Sequence, residues 1–289
     1  MTMDAAPTVH GVLSPAGPRR MRGPARRLVI DNDWAGDPDG LLALAHHLLS
    51  SDRVDGVTSS LTSPMFPGAD SGAVRGVEAA RALIAVAAPE SAGRTAAGAE
   101  RAGGGPSEAS RLIVDAARRD DPLPLTIVCA GPLTNVAAAL AEDPSIAARA
   151  RLVWVGGAVG DVFEYNRDTD PEAAAAVFAT EIAIEQYPLE TYRACTFSLA
   201  ELEAELTRTA VGGAVWDAFT ALEFPTRFPV GEVWHLGDSL PLLATSLAAG
   251  DPPSAPRVVH TEVDFRLIVG DMAAKFALHD RRLAGAPTH

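Results

Sequence analysis

Asp31, Asp33, Asp37 and Asp39 fall within nine positions, between one apolar run and another, in the stretch "VIDNDWAGDPDGLLALAHHLL" (29–49). Carboxylates packed this closely either take up protons, with raised pKa, or share a cation that neutralises them. No His or Cys is interleaved with them, and an oxygen-only set suits a hard ion such as Ca²⁺ or Mg²⁺. Part of the cluster also has a structural use. Asp37 followed by Pro38 reads as an N-cap with proline at the first helical position, and Asp39 in the first turn complements the helix dipole. Asp170–Pro171 repeats the device. Capping leaves Asp31 and Asp33 unexplained. At i and i+2 on a strand they point the same way, which makes the cluster half of a metal site.

Two architectures for such a site can be tested on spacing. An EF-hand loop starting at Asp31 would place Ala35 at position five and Leu42 at position twelve, where a carboxylate is required, so that reading fails. A strand ending in D-x-D also suits a Mg²⁺-dependent phosphatase of the haloacid-dehalogenase type, with Asp31 as nucleophile and Asp33 as acid/base. That chemistry needs a Lys or Arg ahead of a late acidic motif. Lys275 is the only lysine, and it follows "GDSLPLL" (237–243) rather than preceding it.

The elements that must position these residues alternate along the chain. "RLVIDND" (27–33), "VDGVTSS" (54–60), "PLTIVCA" (124–130), "ARLVWVGG" (150–157) and "EIAIEQYP" (181–188) read as strands. Helical periodicity covers 38–50, 71–87, 107–119, 132–143 and 170–180, and 99–107 reads as a loop. From about 198 onward the pattern is more helical and less regular. Short strands separated by helices predict an α/β fold: a single domain with a central, mostly parallel (mixed) sheet flanked by helices, Rossmann-like in its core. Ligands in such sheets sit outside the carboxyl ends of the strands, where the first aspartates lie.

Composition narrows the partners. The 289 residues carry a formal net charge of −13, which argues against a nucleic-acid polymer and leaves a small neutral ligand open. No apolar run approaches the roughly 18 to 20 residues a membrane span needs. Cys129 and Cys195 lack metal-type spacing and sit in apolar stretches, as expected of two reduced, buried thiols in a cytoplasmic protein. Residues 1–27 are rich in Pro, Gly, Ala and Arg without periodicity and read as a disordered leader to a 28–289 domain.

Three further stretches join the aspartates in order: "CAGPLTNVAAAL" (129–140), "LVWVGG" (152–157) and "FEYNRDTDPEAAAAVF" (163–178). With "DNDWAGDPDG" (31–40), they resemble the inosine–uridine-preferring nucleoside hydrolase family. Its motifs are D-x-D-x-G-x-D-D, A-x-G-P-L-T-N, a strand ending in a double glycine, and E-F-N-x-x-x-D-P-E-A-A. The resemblance covers much of residues 28 to 190. It implies a single α/β domain that binds one Ca²⁺ and hydrolyses the N-glycosidic bond of a ribonucleoside or related N-riboside. Carried over by position, Asp33, Asp39, the main-chain carbonyl of Ala130 and the late Asp238 would hold the ion. Asp33 would also serve as general base. Asp37 would hold the 2′- and 3′-hydroxyls of the ribose, and Glu164 and Asn166 its 5′ end.

The match has departures. Pro38 stands between the usually adjacent Asp37 and Asp39. "TSSLTSP" (58–64) puts Ser63 where the family has a ribose-contacting Asn. The place of a base-protonating His is taken by Gly237, with His235 the nearest histidine and the candidate for that role. Two rivals accompany the hydrolase reading: the phosphatase, and a non-catalytic relative that binds nucleoside or ribose without turnover. The resemblance also implies a homodimer or homotetramer.

Overall fold

The computed structural model describes residues 24–36, 38–89, 94–221, 231–248 and 252–285. Seven strands form one sheet: β1 (Arg27–Asn32), β2 (Arg53–Ser59), β3 (Arg94–Ala97), β4 (Leu125–Cys129), β5 (Ala150–Val155), β6 (Ala183–Tyr187) and β9 (Arg257–Val259). Their order across the sheet is β3-β2-β1-β4-β5-β6-β9, and every neighbouring pair is parallel. The antiparallel pairing lies in a separate ribbon of β7 (Thr196–Ser198) and β8 (Val233–His235). The expected α/β sheet is therefore present. It gains two edge strands that the sequence pattern did not single out, because "RTAA" and "RVV" are too short to show alternation.

Strand β1 shows how the sheet buries both faces. Successive side chains point to opposite sides. Val29 packs with α3 (Glu108–Arg118), α4 (Thr134–Glu142) and α6 (Pro171–Phe178). Leu28 and Ile30 face α1 (Asp39–Leu48), α2 (Gly72–Ala87), α8 (Leu199–Leu206), α9 (Ala210–Ala221) and α10 (Phe265–Leu283). The helices begin where local chemistry directs. Ser107 and Ser110 cap α3 reciprocally, and Asp170 accepts the Ala173 amide at 3.1 Å with Pro171 opening α6, as the Asp–Pro pair predicts. The capping role expected of Asp37 lies outside the described residues. Pro38 takes the N-cap position of α1, and Asp39 stands in the first turn.

The order places a topological switch between β1 and β4. From β1 the chain moves outward through β2 and β3, then returns to the other side of β1 and continues through β4, β5 and β6. Crossovers on either side of that point diverge, leaving a crevice at the strands' carboxyl ends. Residues immediately after β1 and β4 therefore have room to meet a ligand. No described helix is long and apolar enough to cross a membrane, and both cysteines are unpaired and buried.

One buried polar feature sets an acid limit on the fold. His47, on α1, is 1% exposed, and neither of its ring nitrogens has a partner among the described residues. Burial, with His46 and Lys275 nearby, pushes its imidazole down to about 3 from 6.5. The folded chain thus holds His47 neutral while the unfolded chain protonates it below 6.5. Stability from this group is complete above pH 6.5 and is lost as pH falls toward about 3, by at most about 1.4 kcal/mol per pH unit. Chemical denaturation at pH 7.5 and pH 5 should show a smaller acid loss for His47→Leu than for the parent. Equal losses would mean that His47 does not limit acid stability.

Candidate active site

Four segments converge on the switch-point crevice. Asp33 follows β1, Ala130 follows β4, Asp39 opens α1, and Asp238 lies in a 3₁₀ segment, Gly237–Ala244. The sequence suggests a helix at Asp238. The tighter 3₁₀ form occurs there, with Pro241 inside it, and proline cannot supply a backbone donor. Asp33, Asp39, Ala130 and Asp238 all line one cavity of about 640 Å³. Asn32 ties them together: its Oδ1 accepts the Asp33 amide at 2.8 Å, and its Nδ2 donates to Asp238 Oδ2 at 2.8 Å. The Asp238 amide in turn donates to Asp39 Oδ2 at 3.1 Å. A Cβ at Gly40 would displace Asn32 Nδ2, so the missing side chain leaves that amide its place.

Asp31 takes a different position from the one its spacing suggests. β1 ends at Asn32, so Asp31 and Asp33 do not share the regular alternation of one strand. Asp31 is fully buried and does not line the cavity. Its Oδ1 accepts from Thr58 Oγ1 at 2.5 Å and Asn135 Nδ2 at 2.8 Å, and its Oδ2 faces Cys129 Sγ at 3.6 Å. Burial pushes the carboxyl up to about 6, against the opposing pull of these hydrogen bonds. Asp31 is a structural clasp: it joins β1 to β2 and to the start of α4. Thr134 extends the clasp by donating to Asp170 Oδ2 at 2.6 Å.

The third side of the cavity is α5 (Tyr165–Thr169), a single turn. Gly157, with φ of 72° in the double-glycine turn after β5, directs its amide onto Glu164 Oε2 at 2.5 Å. Glu164 Oε2 also accepts the Arg167 amide at 2.8 Å, and Oε1 accepts the Asn166 amide at 3.1 Å and Tyr192 Oη at 2.9 Å. Both oxygens of this buried carboxylate are thus engaged in capping α5, and burial raises its pKa. Asn166 Nδ2 donates to the carbonyls of Ala130 at 3.0 Å and Val155 at 2.9 Å. That fixes the amide's orientation and leaves Oδ1 buried without a partner among the described residues.

The remaining expected residues divide. His235 lines the cavity from β8, on its exposed side. Its pKa is lowered by partial burial and then by the Arg193 charge, against a hydrogen bond with the Arg193 main chain. Ser63 is buried but is not among the cavity-lining residues, and its amide donates to Tyr165 Oη at 3.1 Å. Asp37 lies outside the described residues. Residues that sequence reasoning did not single out supply most of the walls: Phe66, Phe163, Tyr165, Tyr192, Arg193 and Trp234. Only Tyr165 carried a signal, standing between Glu164 and Asn166 where the quoted motif has phenylalanine.

A carboxylate beside a cluster of oxygen donors, under aromatic walls, suits water activation next to a flat organic ligand. Among the described residues, no group of three or more His, Cys, Asp or Glu side chains is placed to hold an ion by itself. The donor chemistry fits a hard cation when the Ala130 carbonyl is counted with the carboxylates.

A family model described as inosine-uridine preferring nucleoside hydrolase matches residues 28–281. The chain belongs to that family. An uncharacterized protein of Schizosaccharomyces pombe is 35% identical over 115 residues, covering 36% of this chain and 37% of its own. The pyrimidine-specific ribonucleoside hydrolase RihA of Salmonella arizonae is 37% identical over 91 residues, 29% of each chain. These alignments span only about a third of the relatives' length. In structure, the purine-preferring ribonucleoside hydrolase from Gardnerella vaginalis superposes with a TM-score of 0.69 at 19% identity, over 89% of this chain and 100% of that one. Such a likeness shows the shared fold. Family membership and the burial of Asp31 together remove the haloacid-dehalogenase reading, since its nucleophile would be walled off from the cavity.

The electrostatics at the cavity mouth can be checked by titration. Because the Arg193 charge depresses the His235 imidazole, Arg193→Ala should move the His235 NMR titration midpoint upward. An unchanged midpoint would show that the two side chains do not interact.

Proposed function

We propose that the chain hydrolyses the N-glycosidic bond of ribonucleosides or a related N-riboside to ribose and free base. The observation that carries this reading is that Asp33, Asp39, Asp238 and Ala130 line one cavity at the β1/β4 switch. These four groups would hold a hard divalent cation, and the family resemblance makes Ca²⁺ the candidate. The bound ion supplies Lewis acidity that lowers the pKa of water.

The protein's own groups do the rest. Asp33 accepts the proton of the water that attacks the anomeric carbon as the C–N bond breaks. The surrounding carboxylates stabilise the positive charge that develops on the sugar ring. Asp37, with the ion, would take the 2′- and 3′-hydroxyls. Asn166 would meet the 5′ end of the sugar, and Glu164 contributes by capping the turn that presents Asn166. Ser63 acts through its amide on Tyr165. Aromatic side chains on the walls would pack against the base. The departing base gains a proton, for which His235 at the mouth is the candidate donor.

We place this activity in a 28–289 domain, in a homodimer or homotetramer, within the cytoplasm, where two unpaired thiols stay reduced. Light scattering on the purified protein checks the assembly, and a monomer would refute it.

The decisive assay incubates the protein with a panel of ribonucleosides, with and without chelator, and measures free ribose. Chelator-sensitive release is expected, and Asp33→Ala should lower it by about 10³-fold. Nucleoside binding without release would establish the non-catalytic relative instead. Full activity in Asp33→Ala would refute the general-base assignment.

A further inference from the structure

We infer that Tyr165 is a positioning residue: its hydroxyl holds the Asp33 carboxylate in the orientation from which it serves both ion and water. This rests on the reading of Asp33 given above. Tyr165 Oη lies 2.7 Å from Asp33 Oδ2 and 3.1 Å from the Ser63 amide nitrogen. An amide N–H can only donate, so the phenolic oxygen accepts from Ser63 and directs its own proton to the carboxylate. The direction of the contact is fixed by the ionised carboxylate, which can only accept.

The phenol is held firmly enough to position something else. Its ring meets Phe66 edge-on, with centroids 5.9 Å apart and planes at 81°. Tyr165 begins α5, whose first amides are capped by the buried Glu164. Asp33 lies beyond the end of β1 in a tight turn, where the Gly36 amide donates to its carbonyl at 2.6 Å. The ladder of the sheet thus does not fix the direction of its side chain.

Tyr165 and its neighbour Asn166 act as a pair. Tyr165 reaches the carboxylate after β1, while Asn166 reaches the Ala130 carbonyl after β4. One turn of helix therefore fixes two of the four ion donors relative to each other across the switch point. Hydrogen-bond partners of metal-ligating carboxylates contribute in this way to both affinity and rate.

Tyr165→Phe keeps the ring and removes only the hydroxyl. Its Tm should stay within about 2 °C of the parent, a small change for a chain of this size. Calorimetric Ca²⁺ affinity should weaken by about tenfold, and kcat for ribose release should fall by about tenfold or more, with KM within about threefold. Affinity and kcat both within about twofold of the parent would overturn the inference. So would a rise in KM alone, which would make Tyr165 a substrate contact. Weakened Ca²⁺ binding in a protein that never releases ribose would sink the hydrolase reading and leave the positioning role standing. The contact itself is read without ion or substrate from ¹³C-labelled aspartate carboxyls, assigned with Asp33→Asn. The Asp33 resonance should shift in Tyr165→Phe, and an unmoved resonance would overturn the inference.

Discussion

Asp33, Asp39 and Asp238 reach one cavity from three separate stretches of chain, and like charges brought together in partly desolvated space cost free energy until something neutralises them. Much of the neighbouring structure holds these groups in place against that cost. Asn32 bonds to the Asp33 amide on one side and to the Asp238 carboxylate on the other. The Asp238 amide meets the Asp39 carboxylate. Amide donors of this kind orient a carboxylate and offset part of the repulsion, but they carry no full positive charge. A cation does, and we propose that these oxygens hold a hard one.

The sheet makes this cradle possible by where it reverses direction. Because β1 and β4 are neighbours whose onward crossovers diverge, the residues after them open into a crevice instead of being covered by a helix. The motifs then brace one another. Asp31 joins β1 to Thr58 on β2 and Asn135 on α4, Thr134 reaches Asp170, and Asp170 caps α6. The buried Asp31 carboxylate is hydrogen-bonded on both oxygens, as a buried polar group must be to be tolerated. It braces the elements beneath the cavity and does not line it.

That Asp33, Asp39, Ala130 and Asp238 meet in one cavity was largely legible in the sequence, because strand-terminal aspartates, a Gly-Pro-Leu-Thr-Asn helix entry and a late aspartate each leave a local pattern. What escaped was decided by distance. The Tyr165–Asp33 bond spans 132 positions, and no local spacing encodes it. Ser63 stood in register with a substrate-contacting position, yet its amide is directed to Tyr165, which only the path of the loop reveals. Strand alternation suggested that Asp31 and Asp33 act together, but it could not say that β1 stops at Asn32. Short edge strands such as β3 and β9 leave too few residues for any period to show. The aromatic walls come from segments joined only by the fold.

The central claim is that a cation completes the carboxylate cradle, and thermal denaturation of chelated protein during Ca²⁺ addition tests it most directly. Binding to the folded state alone should raise Tm by about 4 °C or more at saturation. The response should be lost in a protein carrying Asp39→Asn and Asp238→Asn together. A parent protein whose Tm does not move in excess Ca²⁺, or a double variant that responds as the parent does, would contradict the account.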